Sequence, residues 1–100
     1  MTKVSVGKAD LKPGKSKLVS VKDKKLALFN IDGKYHCTDG LCTHVGGPLW
    51  EGPVSGKTVT CPWHGSQFDV ITGKVLAGPA KKSVKTYKAI EKNKELFVEI

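Results

Sequence analysis

The chain has 100 residues, enough for one domain over residues 1–100 and too few for a second hydrophobic core. Its 17 lysines stand against 9 acidic residues, for a net charge of +8, and arginine is absent. Because arginine contacts phosphates and base edges best, this composition argues against nucleic-acid binding and favours docking onto acidic protein partners. No apolar run approaches the roughly 20 residues of a membrane span, and no signal peptide is found, so we expect a soluble cytoplasmic protein.

The hydrophobic pattern predicts an all-β fold. Short runs rich in Val, Ile, Leu, Phe and Tyr alternate with turn residues, as in strands joined by hairpins. The predicted strands cover residues 3–7, 16–22, 26–31, 34–38, 57–61, 67–70, 74–76, 84–90 and 95–100. Asp32-Gly33 is a strong hairpin signal between the third and fourth strands. We find no helical periodicity and expect a small antiparallel sandwich or barrel-like fold.

Two irregular loops interrupt the strand pattern. Residues 39–56 are rich in glycine and proline, and a second loop follows at residues 62–66. A cysteine and a histidine lie close together at each loop. Loops braced by a rigid sheet are common sites of function, so residues 39–80 are predicted to form a functional subdomain.

The cysteines and histidines of these loops have the spacing of metal ligands. Cys42-Thr-His44 is followed, after sixteen residues, by Cys61-Pro-Trp-His64. Thiolate and imidazole groups bind iron–sulfur centres, zinc and copper. Zinc sites typically use paired Cys-x2–4-Cys knuckles, which the mixed spacing here matches poorly. A zinc-stabilised structural or nucleic-acid-binding module stays open as an alternative at this point.

The residues around these four positions closely resemble the two cluster-binding loops of Rieske ferredoxins. The segments beginning at Cys42 and Cys61 read CTHVGGPL and CPWHGSQFD. The resemblance extends through residues 72–75, residues 78–80 and Tyr87. It implies the Rieske fold, with the two loops forming a cluster-binding subdomain within a single Rieske ferredoxin domain.

The resemblance also implies a cofactor, one Rieske-type [2Fe–2S] cluster per chain. Cys42 and Cys61 would bind one iron, and His44 and His64 would bind the second iron, nearer to solvent. Two imidazoles in place of two thiolates raise the reduction potential relative to all-cysteine clusters.

A second set of residues would surround the cluster. Glycines in the loops would let backbone N–H groups approach the sulfur atoms, and a Gly-Pro loop would cover the site. These residues are Gly46, Gly47, Trp63, Gly65, Ser66, Phe68, Gly78 and Pro79.

The departures from high-potential Rieske proteins are informative. Gly47 and Trp63 occupy the positions of the two cysteines that form a disulfide in those proteins, so that bridge is impossible. Ser66 is kept as a hydroxyl donor, whereas Phe68 replaces a tyrosine. We therefore expect a potential in the lower half of the range of roughly −150 to +300 mV.

The function implied is one-electron transfer from a reductase to an acceptor such as an oxygenase component, and this chain itself performs no catalysis. Given the net charge of +8, the redox partners are expected to present an acidic docking face to it. Only His36 remains once the cluster is satisfied, so the mononuclear iron site of an oxygenase cannot be built. The alternative is a small Rieske subunit of a larger reductase complex, similar to the nitrite reductase small subunit.

The remaining candidates are expected to be structural. Cys37 is predicted to face inward and His36 to lie on the opposite, exposed face of its strand. A small core is expected beneath the loops, formed by Leu49, Trp50, Trp63 and Phe68. Trp63 could instead belong to a surface that docks a partner. Three lysines are candidates for steering an acidic partner: Lys57, Lys81 and Lys82.

Overall fold

The computed structural model describes residues 3–43, 46–63 and 65–100. Within these ranges the chain forms ten β-strands and one short 3₁₀ turn, Leu49–Glu51. The strands are β1 (Lys3–Lys8), β2 (Ser16–Val21), β3 (Lys24–Ile31), β4 (Lys34–Asp39), β5 (Val54–Ser55), β6 (Thr58–Thr60), β7 (Gln67–Asp69), β8 (Val75–Ala77), β9 (Thr86–Lys92) and β10 (Glu95–Glu99). The predicted all-β fold is confirmed.

The strands form two antiparallel sheets. The larger has the order β1-β10-β9-β4-β3-β2, and the smaller has the order β5-β6-β7-β8. Only two residue pairs, Cys37 with Tyr87 and Thr38 with Thr86, join β4 to β9 at the centre of the larger sheet. The larger sheet therefore divides there into two three-stranded halves, and the smaller sheet carries the second loop.

The predicted strands are all present, with ends shifted by one or two residues. At the β3–β4 hairpin both Asp32 and Gly33 have positive φ, 53° and 91°, which a tight type I′ turn requires. Two elements were not predicted, the 3₁₀ turn and β5. Both lie in the Gly/Pro-rich segment, where a two-residue strand and a single helical turn leave no periodicity to detect.

Strand β3 separates two apolar clusters. Ala27 and Phe29 on one face pack with Cys42, Cys61 and other residues beneath the two loops. Leu26 and Leu28 on the other face belong to a second cluster between the halves of the larger sheet. Because β3 is buried on both faces, its sequence is nearly continuously apolar rather than alternating. The loops thus rest on a rigid base.

Across the described ranges, no helix has the length and apolar character needed to cross a membrane.

Candidate metal centre

The two loops are built on the same backbone hydrogen-bond pattern. The Cys42 N–H donates to the Gly47 carbonyl at 2.8 Å, and the Gly46 N–H donates to the Cys42 carbonyl at 2.8 Å. The Cys61 N–H likewise donates to the Ser66 carbonyl at 2.7 Å, and the Gly65 N–H donates back to the Cys61 carbonyl at 3.2 Å. In each loop a cysteine therefore begins a tight turn closed five residues later.

A glycine occupies the same place in both turns, four residues after the cysteine. Gly46 has φ of 75° and Gly65 has φ of 78°, a region that other residues rarely adopt. A Cβ at either position would meet no described heavy atom within 4 Å. The sequence predicted glycine at these two positions so that backbone N–H groups could approach the sulfur atoms. The positive φ values give a second reason for glycine, which applies whether or not a cluster is bound.

The two turns bring the two cysteines together. Cys42 is 3% exposed and Cys61 is 1% exposed. Burial raises the pKa of the Cys61 thiol, a backbone hydrogen bond at Trp63 lowers it, and a hydrogen bond with the Cys42 side chain raises it again. Two thiols in hydrogen-bonding contact, from separate loops, form a donor pair suited to one thiophilic metal ion. The three cysteines, all of them described, form no disulfide.

Gly47 makes room for this pair. A Cβ built on Gly47 would lie 2.7 Å from the Cys61 sulfur and 3.1 Å from the Trp63 Cβ. Any larger side chain would displace the thiol, so the backbone of Gly47 lies close to a cysteine sulfur. Approach of its N–H group to the cluster sulfurs stays a prediction. The two thiol donors fit an iron ion bound by both thiolates.

A third loop covers the turns. The Ala80 N–H donates to Ser66 Oγ at 2.9 Å, and Thr43 Oγ1 donates to the Lys82 carbonyl at 2.6 Å. Ser66 is fully buried and Ala80 is buried, whereas Gly78 and Pro79 themselves are exposed. The segment after Pro79 therefore contacts both turns. Sequence reasoning missed the roles of Thr43 and Ala80, because a backbone contact across the fold leaves no local signal.

The remaining predicted ligands, His44 and His64, lie outside the described residues. Each stands inside one of the two turns by sequence, between the cysteine and the glycine of positive φ. Their assignment as ligands stays a prediction.

The predicted core beneath the loops is confirmed for three of its four residues and wrong for Trp63. Leu49 and Phe68 are fully buried in the apolar cluster that contains Cys42 and Cys61, and Trp50 packs against it. Trp63 is instead 51% exposed. The turn that starts at Cys61 directs the cysteine inward and leaves the following Pro-Trp pair at its outer surface. Trp63 is thus a surface residue, in line with the second reading.

Cys37 belongs to a different part of the core. It is 1% exposed and packs in the second apolar cluster, as predicted for a structural residue. Burial, with a smaller effect of Asp39, raises the pKa of its thiol to about 12. His36, on the other face, is half-buried rather than fully exposed. Burial and then the nearby Lys34 lower its pKa, against an opposing effect of Asp69.

A buried tyrosine anchors the entry to the first loop. The Tyr87 hydroxyl donates to Asp39 Oδ1 at 2.6 Å, and burial together with this bond raises the pKa of Tyr87. The Asp39 N–H donates to the Lys85 carbonyl and the Gly40 N–H to the Lys25 carbonyl, both at 2.8 Å. Nothing in the sequence marks Asp39, because its partners are distant along the chain.

These features agree with the comparisons with known proteins. The profile of the Rieske [2Fe–2S] domain matches residues 2–88. The chain belongs to the Rieske [2Fe–2S] family. The Rieske domain implies one [2Fe–2S] cluster of Rieske type, so the predicted cofactor is confirmed.

Relatives and solved structures narrow the class of Rieske protein. The ferredoxin component of the naphthalene 1,2-dioxygenase system of Pseudomonas putida is 34% identical over 96 residues, covering 96% of this chain and 92% of the relative. The Sphingomonas yanoikuyae B1 ferredoxin superposes with a TM-score of 0.92 at 31% identity, covering 99% of each chain.

A third similarity is to a complex. A chain in the complex of reduced oxygenase and oxidized ferredoxin in carbazole 1,9a-dioxygenase gives a TM-score of 0.91 at 30% identity, covering 96% of this chain and all of that one. The prediction of a Rieske ferredoxin, an electron carrier and not an enzyme, is confirmed by these relatives.

Proposed function

We propose that this Rieske protein carries single electrons on a [2Fe–2S] cluster held by Cys42 and Cys61 on one iron and by His44 and His64 on the other. The observation that supports this most is the pair of matched turns, which bring two buried thiols from separate loops into contact. Each turn has its histidine beside its cysteine in sequence, as required for two mixed arms. When bound, the cluster supplies reversible one-electron oxidation and reduction.

Ligand charge explains why mixed ligation suits this task. Two ferric ions, two sulfides and two thiolates have no net charge, whereas four thiolates would leave a charge of minus two. Adding an electron to a neutral centre costs less electrostatic energy, so the potential is higher than that of an all-cysteine cluster.

The surrounding residues hold and tune the site. Ser66 Oγ accepts a hydrogen bond from the Ala80 N–H. The Ser66 hydroxyl therefore keeps its own proton available to donate to a sulfur atom of the cluster. Such a bond would stabilise the reduced state of the cluster and so raise its reduction potential. Phe68, fully buried at the tyrosine position of high-potential proteins, offers no second hydroxyl, so the potential lies low in the Rieske range.

The relatives indicate the class of partner. Electrons would enter from a reductase and leave to the oxygenase component of a ring-hydroxylating dioxygenase system, in the cytoplasm. The net charge of +8 would steer the carrier to acidic faces of these proteins.

Spectroscopy tests the ligand assignment. Anaerobically purified protein is reduced with dithionite, and its EPR spectrum is recorded with iron and sulfide measured on the same sample. A rhombic signal with an average g value below that of all-cysteine clusters, at two irons per chain, supports mixed ligation. His64→Cys keeps a cluster but lowers its potential, because a thiolate donates more charge than a neutral imidazole. Zinc with no EPR signal contradicts the proposal.

Reconstitution tests the role. Reduced protein is mixed with an oxygenase component from a naphthalene dioxygenase system, and oxidation of the ferredoxin is followed by stopped flow. Substrate-dependent oxidation of the wild-type protein, absent for Cys42→Ala, is expected. A wild-type protein that reduces no oxygenase component contradicts the acceptor class while leaving the ligand assignment intact.

A further inference from the structure

Two lysine-rich segments that are far apart in the sequence meet beside the first loop of the site. Residues 22–25 read KDKK and residues 81–85 read KKSVK. Together they hold six of the 17 lysines and one acidic residue. We call these six the lysine flank: Lys22, Lys24, Lys25, Lys81, Lys82 and Lys85, all of them exposed.

Backbone hydrogen bonds fix both segments to the first loop. The Gly40 N–H donates to the Lys25 carbonyl at 2.8 Å, which ties the β2–β3 hairpin to the loop. The Asp39 N–H donates to the Lys85 carbonyl at 2.8 Å, and Thr43 Oγ1 donates to the Lys82 carbonyl at 2.6 Å. The lysine flank is therefore positioned within a few residues of Cys42 by contacts that involve none of its side-chain ammonium groups.

Two of the ammonium groups lie near the same aromatic ring. Lys24 Nζ and Lys85 Nζ lie 5.6 Å and 5.2 Å from the centre of the Tyr87 ring. They border a groove of about 320 Å³ that is also lined by Leu41. Two acidic residues lie in the same groove, Asp23 and Asp39, and the Asp39 carboxylate accepts the Tyr87 hydroxyl proton. Lys25 also lines the groove, so three lysines stand against two aspartates, and this excess of positive charge favours a carboxylate as occupant.

Exposed apolar side chains lie next to the ligand positions. Leu41, which precedes Cys42, is 46% exposed, and Trp63, which precedes His64, is 51% exposed. Large apolar residues, tryptophan above all, dominate the centres of protein interfaces, with charged residues at the rim. An apolar contact next to the cluster, with cations on one side, suits a partner that must approach closely in one orientation.

We infer that the lysine flank, with Leu41 and Trp63, is the docking surface for an acidic face of the redox protein that exchanges electrons with this site. The inference rests on the proposed electron-carrier function and adds a direction to it. The partner approaches from the side of the β2–β3 hairpin and residues 81–85, and its carboxylates lie against those lysines. Charge elsewhere on the molecule contributes only to the general attraction.

Two double charge reversals test the flank. Lys25→Glu/Lys82→Glu changes two flank lysines whose structural contacts are made by their backbone carbonyls, so the loop contacts are retained. Lys8→Glu/Lys92→Glu is the control with the same net charge. Lys92 is the last residue of β9 and lies six residues beyond Thr86, which pairs with Thr38 just before the first loop. Lys8 and Lys92 both lie opposite Glu95, so they are at the same end of the sheet. These control lysines are therefore roughly 20 Å along the strand from the loop, at about 3.3 Å per residue.

Each reduced variant is mixed by stopped flow with an oxidised acidic plastocyanin or with an oxidised basic cytochrome c. In either reaction the cluster loses one electron, and the copper or haem iron gains it. At low ionic strength, we expect the flank variant to reduce plastocyanin about tenfold more slowly than wild type and to reduce cytochrome c faster. The control is expected to change either rate by less than about twofold, and high salt to remove the difference.

Equal slowing of plastocyanin reduction in both variants would show that only the net charge of the protein matters, and would contradict docking at the lysine flank. Unchanged rates in both variants would overturn it as well. Cluster content and potential are measured on every sample, so that a lost cluster is not taken for lost docking. A wild-type protein that reduces neither acceptor would contradict the electron-carrier function and the docking surface together, whereas a failed flank leaves the carrier function standing.

Discussion

The backbone of Gly47 lies against the sulfur of Cys61, across the junction of the two loops. A Cβ added at Gly47 would be 2.7 Å from Cys61 Sγ, well inside van der Waals contact. Gly47 is not among the glycines of positive φ, so its lack of a side chain serves this contact and not a backbone conformation. One methyl group is therefore enough to test the junction.

Gly47→Ala is expected to lower iron and sulfide content well below that of wild type, because the added methyl displaces the Cys61 thiol from its place beside Cys42. The measurement is iron and sulfide per chain after anaerobic purification. Gly78→Ala is the matched control, since a Cβ there would only touch Ala80 atoms at 4.0 Å. Full cluster content in Gly47→Ala would show that the junction has room to spare.

Cysteine substitutions separate ligands from core residues. Cys42→Ala and Cys61→Ala are expected to abolish the cluster, because each removes one of the two adjoining thiols. Cys37→Ala is expected to retain full iron and the wild-type EPR spectrum while losing about 1 kcal/mol of stability, since Cys37 packs in the other apolar cluster. An altered g tensor in Cys37→Ala would place its sulfur at the cluster and contradict this assignment.

Ser66→Ala tests the hydroxyl beneath the covering loop. The substitution leaves the buried Ala80 amide without its acceptor, which costs about 1–3 kcal/mol in the free energy of unfolding. Under the proposed function it would also remove a hydroxyl donor to a sulfur of the cluster, so we expect a lower reduction potential by protein-film voltammetry.

Ser16→Ala is the control for this prediction. Ser16 Oγ donates to the Trp50 carbonyl at 2.8 Å, in the 3₁₀ turn and in neither of the two turns that begin at the cysteines. It should lower stability without moving the potential. Equal potentials for wild type and Ser66→Ala would show that the serine supports only the covering loop.

Asp69 contributes a pH-dependent part of the stability. Burial raises the pKa of its carboxyl, but amide N–H bonds from Thr72 and Ile71 and the Lys57 ammonium at 3.5 Å outweigh it and lower the pKa below the ordinary value. A depressed folded-state pKa means that this stabilisation is present above the unfolded-state value of about 3.9 and is lost as the pH falls through the folded-state pKa.

The difference in free energy of unfolding between wild type and Asp69→Asn is therefore expected to shrink in acid. Urea unfolding from about pH 7 to about pH 3 measures it, with both proteins carrying the cluster. Lys57→Met should shift the acid loss to higher pH, because it removes the ion-pair partner. A constant difference across this range would rule out the assigned shift.

Local sequence was sufficient for the all-β fold and for the loops. Alternating apolar runs and the Asp32-Gly33 turn are short-range signals, and a strand or hairpin responds to them wherever it lies in the fold. The Cys-x-His and Cys-x2-His arms are equally local, which is why the cluster could be predicted from spacing and family resemblance. Burial of Leu49 and Phe68 was also predicted correctly, because both are large apolar residues close in sequence to the two loops.

Only the tertiary structure decided which distant residues meet. The exposure of Trp63, the contact of Gly47 with Cys61, and the tie between Ser66 and Ala80 depend on how two loops and a covering segment pack together. The lysines appear scattered in the sequence, yet backbone hydrogen bonds gather six of them beside one loop. Long-range pairing of strands sets these neighbours, and periodicity along the chain carries no information about which strands pair.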